Sequence, residues 1–306
     1  MFHHFHDNYI HKKSQGSISR ESLIKIIKFI GRENILDSND FLNRLLEKKL
    51  ENNKVCITFD DSLRCQFDVA LPVLEDFKIK SFFFVYTSIF EDKFMCMLEY
   101  YRHFRNTNYK DINDFYRDFY SILSIDINVI LKKNEKLINQ YLLKFPFYSI
   151  NDVLFKITRN NNVSEKDYKQ AMNKLFQKYN YDPETNFSNL FMTKENIIKL
   201  NQLGHIVGLH SHNHSTTFEK LKPSEQKKDY VKNLSSLKDI LHTNINTMSH
   251  PCGSYNENTL NILNGLNIDL GFKNSMSNKN IGFIDEFNST NLEIPREDSG
   301  NIINFI

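Results

Sequence analysis

Hydrophobic positions recur along the chain in two rhythms, and the switches between them mark its elements. Residues 17–30 set Leu23, Ile24, Ile26, Ile27, Phe29 and Ile30 behind serines that can cap, which predicts an amphipathic helix. The Asp37-Ser38-Asn39-Asp40 cluster predicts the opening of a second helix over 39–48. Val55-Cys56-Ile57-Thr58-Phe59 then breaks the rhythm: a short apolar, β-branched run suits a strand buried on both faces. A helix over 65–77 and a second buried strand, Ser81-Phe82-Phe83-Phe84-Val85-Tyr86, complete a strand–helix–strand unit and imply a parallel sheet.

From about residue 90 to 190 the strand rhythm disappears. The pattern there is helical and rich in aromatics and lysine, with helices predicted at 97–104, 112–123 and 164–179. Alternation then resumes. A helix over 192–203, capped by Thr193 and stopped by Gly204, leads into a strand at 205–209. Helices at 223–242 and 256–263 alternate with strands at 245–248, 270–272 and 292–294. Because the alternation continues on both sides of the interruption, the sequence predicts one α/β, barrel-like domain over 1–306 with a helical insertion at about 90–190.

Composition narrows the classes. With 40% hydrophobic and 25% charged residues, a 306-residue chain can bury a sizeable core, which excludes disorder and fibres. The 39 basic residues nearly cancel the 37 acidic ones, so no strong field for nucleic acid or a membrane surface follows. Met1-Phe2-His3-His4-Phe5-His6-Asp7 lacks the apolar core of a secretory signal, and no stretch approaches the roughly 18 apolar residues of a membrane span. Cys56, Cys65, Cys96 and Cys252 form no CxxC pair, so reduced thiols and a cytoplasmic location are expected.

Ligand sites of parallel α/β folds gather at the carboxyl ends of strands, which makes the polar residues just after the predicted strands candidates for chemistry. Asp60 and Asp61 follow the first strand. Adjacent carboxylates diverge from an extended backbone, so one can bind a cation while its neighbour faces a reacting water. An Asp in this position also serves routinely as a helix cap. His210-Ser211-His212-Asn213-His214 follows a later strand, and three histidines in five residues stand far above the background of 11 in 306. Imidazoles two or four apart can meet on one metal, although a polar surface loop would also tolerate them. Two His and one Asp would leave a coordination position open to water, as catalytic sites do. Ser249-His250-Pro251-Cys252-Gly253-Ser254-Tyr255 reads as a tight turn able to present a backbone N–H to an oxyanion. Arg296, in Glu293-Ile294-Pro295-Arg296, matters if it reaches the acids.

At these residues the sequence resembles the polysaccharide deacetylase (NodB-homology) family. Thr58-Phe59-Asp60-Asp61-Ser62 is similar to that family's Thr-Phe-Asp-Asp-Gly motif. The stretch from Gly204-His205 through Gly208-Leu209-His210 to His214 resembles its Gly-His-x-x-Gly-x-His-x-x-x-His motif. Pro251-Cys252-Gly253-Ser254-Tyr255 and Ile294-Pro295-Arg296 resemble its later motifs. The resemblance covers 54–86 and 192–300 and leaves the helical insertion without a counterpart. It implies a distorted (β/α) barrel, a metal site and hydrolysis of N-acetyl groups on sugars; the two imidazoles favour Zn2+ as the divalent metal, while cobalt, nickel or iron would also fit such ligands. Asp60 would be the base, Asp61, His210 and His214 the metal ligands, Cys252 the backbone donor to the oxyanion, and Arg296 the partner that keeps Asp60 ionised. His212 has no role in the motif. Ser62 stands where the motif has Gly, Leu209 where Ser or Asn is usual, and Cys252 where an aromatic is common. No histidine follows His250, so the family's late acid histidine is missing; His250 and His3 are the substitutes in the sequence.

The expectation is therefore a metal-dependent hydrolase acting on an N-acetylated sugar, sugar nucleotide or glycan precursor. An amidase or deformylase of a non-sugar amide is the first alternative. A sugar-binding relative without activity is the second.

Overall fold

The computed structural model describes residues 1–7, 9–91, 97–144, 148–274 and 291–306, so Cys96 and parts of the expected insertion lie outside the described residues. The N-terminal segment forms a short parallel pair, β1 (Phe5–His6) with β2 (Ile18–Ser19). Helix α1 (Arg20–Ile30) follows, and Ser19 Oγ accepts from the Ser22 N–H at 3.2 Å, the capping bond its serine suggested. Helix α2 (Ser38–Leu46) begins after Asp37, but that carboxylate accepts from the Lys80 N–H at 2.9 Å instead of capping the helix.

Strand β3 (Thr58–Phe59) is shorter than the apolar run around it, because Val55 bridges to Ile35 while only Thr58 and Phe59 pair with the next strand. A π-helical turn at Gln66–Ala70 leads into α3 (Leu71–Asp76), where a continuous α-helix was predicted. Strand β4 (Phe82–Val85) is buried along its whole length, as a central parallel strand must be.

The chain divides into two compact units, one of residues 1–13, 17–96 and 188–306, the other of residues 14–16 and 97–187. The second unit is helical: α4 (Leu98–Asn108), α5 (Ile112–Leu123), α6 (Ile127–Lys144), α7 (Ile150–Ile157) and α8 (Glu165–Lys178), with the short α9 (Phe187–Leu190) at the return to the first unit. Its core is aromatic. Phe104, Phe115, Phe119 and Phe155 are fully buried, and the Arg105 guanidinium lies over the rings of Phe115 and Phe155 at 5.5 and 5.0 Å.

In the first unit α10 (Lys194–Gln202) starts from a Thr193 capping box and feeds β5 (Ile206–Leu209). Then come α11 (Pro223–Leu241), β6 (Thr247–Ser249), α12 (Glu257–Gly265), β7 (Leu270–Phe272) and α13 (Ser299–Ile303). The sheet is parallel throughout, in the order β3-β4-β5-β6-β7. Phe82, Phe84, Leu270, Phe272 and Ile294 share a buried cluster with Phe41, Leu42 and Leu45 of α2. Each such side chain contributes about 1.5–3 kcal/mol by leaving water. Gly208 in β5 is required by close packing: a Cβ there would lie 2.5 Å from Thr247 Oγ1 and 2.7 Å from Phe84.

Both edges of the sheet are extended by single bridges. Phe2 pairs with Phe59, and Ile294 with Phe272, so the strand predicted at 292–294 is reduced to one bridge. The Met1 nitrogen then donates to the Glu297 carbonyl at 2.8 Å, and the Ser299 N–H to the Met1 carbonyl at 3.1 Å. Backbone hydrogen bonds therefore run around a full circuit, and the fold is a distorted (β/α) barrel. No described helix is long and apolar enough to cross a membrane.

Candidate active site

Asp60 and Asp61 stand at the carboxyl end of β3, His210 at that of β5, and Ser249 ends β6. Arg296 follows the Ile294 bridge. The barrel brings all of these together and separates the two carboxylates by function. Asp60 is clamped from both sides: Arg296 donates to Oδ1 at 2.8 Å and to Oδ2 at 2.7 Å, and Ser249 Oγ donates to Oδ2 at 3.1 Å. Arg296 also donates to Ser249 Oγ at 2.7 Å and to Thr58 Oγ1 at 3.2 Å. Burial is the largest single influence and would raise the Asp60 pKa, but the Arg296 charge and hydrogen bonds, together with the neighbouring His210 and His3, outweigh it and hold the carboxyl at about 2. Asp60 is thus a buried anion at every physiological pH.

Asp61 turns the other way. Its Oδ1 lies 3.2 Å from His210 Nε2 and 3.0 Å from His214 Nε2, and the three donor atoms fall within 4.8 Å of one another. Burial pushes the Asp61 pKa up, and the His214 charge with hydrogen bonds from both imidazoles brings it well below the usual carboxylate value. His210 Nδ1 is 2.9 Å from the Ser249 carbonyl, a partner that can only accept, so the ring proton sits on Nδ1. Its Nε2 then either donates to the Asp61 carboxylate as an imidazolium or turns a lone pair toward it, and in the second case two acceptors at that distance call for a cation between them. Zinc bonds of about 2.0–2.1 Å in a tetrahedron place donors roughly 3.3–3.4 Å apart, which these separations approach. The donor set fits a divalent metal.

Backbone strain collects here. Asp61, Ser62, Ser211, His214 and Cys252 all have φ between 52° and 77°, the left-handed region that L side chains avoid. Ser62, where the motif has Gly, takes this conformation nonetheless, and its buried Oγ has no hydrogen-bond partner among the described residues.

The histidines outside the cluster separate clearly. His212 turns away to Thr87 Oγ1 at 2.8 Å and Glu91 at 3.4 Å. His205 is structural: Nδ1 accepts from the Ser81 N–H at 3.0 Å, and burial, with Lys80 nearby, lowers its pKa to about 4. His250, a sequence candidate for the acid, is not brought to the carboxylates. Its ring is buried against Tyr255 at a centroid distance of 4.0 Å, Nε2 donates to the Leu292 carbonyl at 2.9 Å, and burial lowers its pKa to about 3. A ring so placed is a neutral core imidazole. His3 is the one brought close: Nε2 lies 3.9 Å from Asp60 Oδ2 and 4.0 Å from Asp61 Oδ2, and 29% of its side chain meets solvent. Gln66 Nε2 fixes that segment by donating to the carbonyls of His3 and Asp60 at 2.9 and 2.5 Å. Cys252 is the exposed residue of the Pro251–Gly253 turn after β6, whose Pro251 is buried.

Sequence reasoning missed the polar residues that hold the histidine loop. Asp229 and Asn233 of α11 are buried and bond its backbone, and Ser249 ties Asp60 to β6. A signal existed. Gln226, Asp229 and Asn233 occupy one face of α11 together with the buried Tyr230 and Leu237, where an amphipathic helix should be apolar.

A parallel barrel with an Asp-His-His cluster beside an ionised Asp–Arg pair, all at the strand ends, defines the polysaccharide deacetylase type of fold. The family model described as polysaccharide deacetylase matches residues 148–271, which include His210–His214 and the Pro251 turn but not Asp60 or Asp61. Solved structures agree at the level of fold. A de-N-acetylase from Aggregatibacter actinomycetemcomitans superposes with a TM-score of 0.54 at 14% identity, covering 100% of this chain and 97% of that one. The Streptococcus pyogenes deacetylase PplD, in complex with acetate, gives 0.53 at 16% identity over 99% and 94%. IcaB from Ammonifex degensii gives 0.53 at 14% over the same shares. No curated protein matches the chain. The resemblance read from the motifs holds at the level of the fold, and the family model supports it over residues 148–271.

Proposed function

We propose that the protein is a metal-dependent N-deacetylase that removes the acetyl group from an amino sugar in a sugar nucleotide or other surface-glycan precursor. The observation that carries this reading is the convergence of Asp61, His210 and His214 beside an Asp60 held ionised by Arg296. A divalent ion held by Asp61, His210 and His214, Zn2+ by preference, would supply Lewis acidity and lower the pKa of water to about 7.

The chain's own residues do the rest. Asp60, kept anionic, accepts the proton of the attacking water. The Cys252 backbone N–H supports the developing oxyanion. His3, partly open to solvent and within 4.0 Å of both carboxylates, delivers a proton to the leaving amine. His3 thereby takes the place first considered for His250. The N–C(acyl) bond breaks, acetate leaves, and the free amine remains on the sugar.

The test is acetate release from N-acetylhexosamines, their nucleotide conjugates and their oligomers, set against simple amides and formamides, with and without a chelator. Chelator-sensitive release from the sugars supports the reading. Turnover confined to simple amides would make the protein an amidase, and sugar binding without release a carbohydrate-binding relative.

A further inference from the structure

The loop that carries both histidines is held from behind by a helix that contributes nothing to the metal cluster itself. Asp229 and Asn233 lie one turn apart on α11 and are both buried. The Asp229 carboxylate accepts from the His212 N–H, from the Asn213 N–H at 3.2 Å and from Asn213 Nδ2 at 2.8 Å. Asn233 Oδ1 accepts from the His210 N–H at 3.1 Å, while its Nδ2 donates to the Val85 carbonyl and to Thr87 Oγ1, each at 3.0 Å. Asn233 thus ties the end of β4 to the start of the loop, and Asp229 grips the middle. Between and beyond those grips, Ser211 and His214 sit at φ 60° and 52°. A five-residue loop with two such residues would relax if released, and relaxation would swing His214 away from Asp61.

We propose that Asp229 and Asn233 are positioning residues that preset the geometry of the metal site, so that part of its metal affinity is stored in α11. The inference rests on the metal reading above. Both residues act through the loop backbone, and neither is a ligand. Groups outside a ligand shell that orient the ligands commonly carry 10–100-fold in metal affinity. An Asn at position 229 keeps the shape of the side chain but leaves one acceptor oxygen where the carboxylate uses two. A Ser at 233 is too short to reach from β4 to the loop.

The experiment measures Zn2+ and Co2+ affinity by chelator competition, and the Co2+ absorption spectrum at saturation, for the full chain, Asp229→Asn, Asn233→Ser, Asp61→Ala and a control, Lys228→Ala, on the exposed side of the same helix. Circular dichroism establishes that each is folded. We expect affinity to fall about 10–100-fold in Asp229→Asn and Asn233→Ser, with a changed Co2+ spectrum, and no change in Lys228→Ala. A residue that only stabilises the fold would lower the melting temperature and leave affinity and spectrum alone. Affinities within threefold of the unaltered protein and an unchanged spectrum would overturn the proposal, as would failure of both variants to fold. If the unaltered protein binds no metal, or Asp61→Ala binds as well as it does, the metal reading itself has failed.

Discussion

The two sides of the site are built in opposite ways. On the side proposed to hold the metal, Asp61, His210 and His214 come from the ends of two strands, are buried, and are fixed by neighbouring backbone and by α11. On the side of the proposed proton donor, His3 stands on the N-terminal segment, which joins the barrel through the bridge from Phe2 to Phe59 and the clasp of Gln66, and it remains partly exposed. The difference teaches where each kind of chemistry can live. A cation needs several converging donors held rigidly, whereas a proton donor must meet both solvent and substrate and can sit on a lightly attached edge. Asp60 stands between the sides, locked like a ligand yet free of the cluster.

Four expectations press on that contrast. The largest concerns Asp60. Asp60→Asn keeps the shape and the metal donors but removes the base, so turnover should fall by about 10²–10⁴ while metal content stays constant. Metal loss in this variant would erase the division of labour between the two aspartates. Next is Arg296→Met, which strands a buried carboxylate without its countercharge. Unfolding free energy should drop by about 3–5 kcal/mol in urea titrations, and the Asp60 pKa should rise because its main countercharge no longer offsets burial. An unchanged denaturation midpoint would mean that the pair is solvated.

Smaller effects separate the histidines. His3→Gln should cost about 10²-fold in kcat, with metal affinity kept. His250→Gln should leave kcat within a few fold, since that ring is committed to the Leu292 carbonyl. The reverse ranking would return the acid to His250. The smallest effect is on acid stability. Asp60 at about 2 lies below its unfolded value near 3.9, so its contribution is complete above pH ~4 and lost as pH falls through 2. His250 at about 3 lies below its unfolded value of 6.5, so its contribution is complete above that value and lost as pH falls toward 3. Melting temperatures of His250→Gln should therefore depend less on pH across that upper window than those of the unaltered protein.

The parallel strands were legible because burial on both faces leaves runs such as Phe82-Phe83-Phe84-Val85 with no alternative reading. The acids and the histidine motif were legible because they follow such runs directly. The closure of the barrel was legible only in part: the strand expected at 292–294 survives as the single Ile294 bridge, whereas Phe2 pairs through one residue and leaves no periodic trace. Asp229 and Asn233 escaped for a related reason. A polar residue on a helix looks solvated until the fold turns it inward, and only tertiary contact reveals that its partners are the loop N–H groups. His3 and His250 could be named as alternatives from sequence, but the choice between them depends on where rings end up, which spacing does not encode.

The central claim, that Asp61 belongs to a metal site and Asp60 does not, is tested most directly by metal analysis of Asp61→Ala and Asp60→Asn after dialysis against Zn2+. The account requires about one Zn2+ per chain in the unaltered protein and in Asp60→Asn, and essentially none in Asp61→Ala, with acetate released only by the unaltered protein. Full metal content or undiminished acetate release in Asp61→Ala would contradict it.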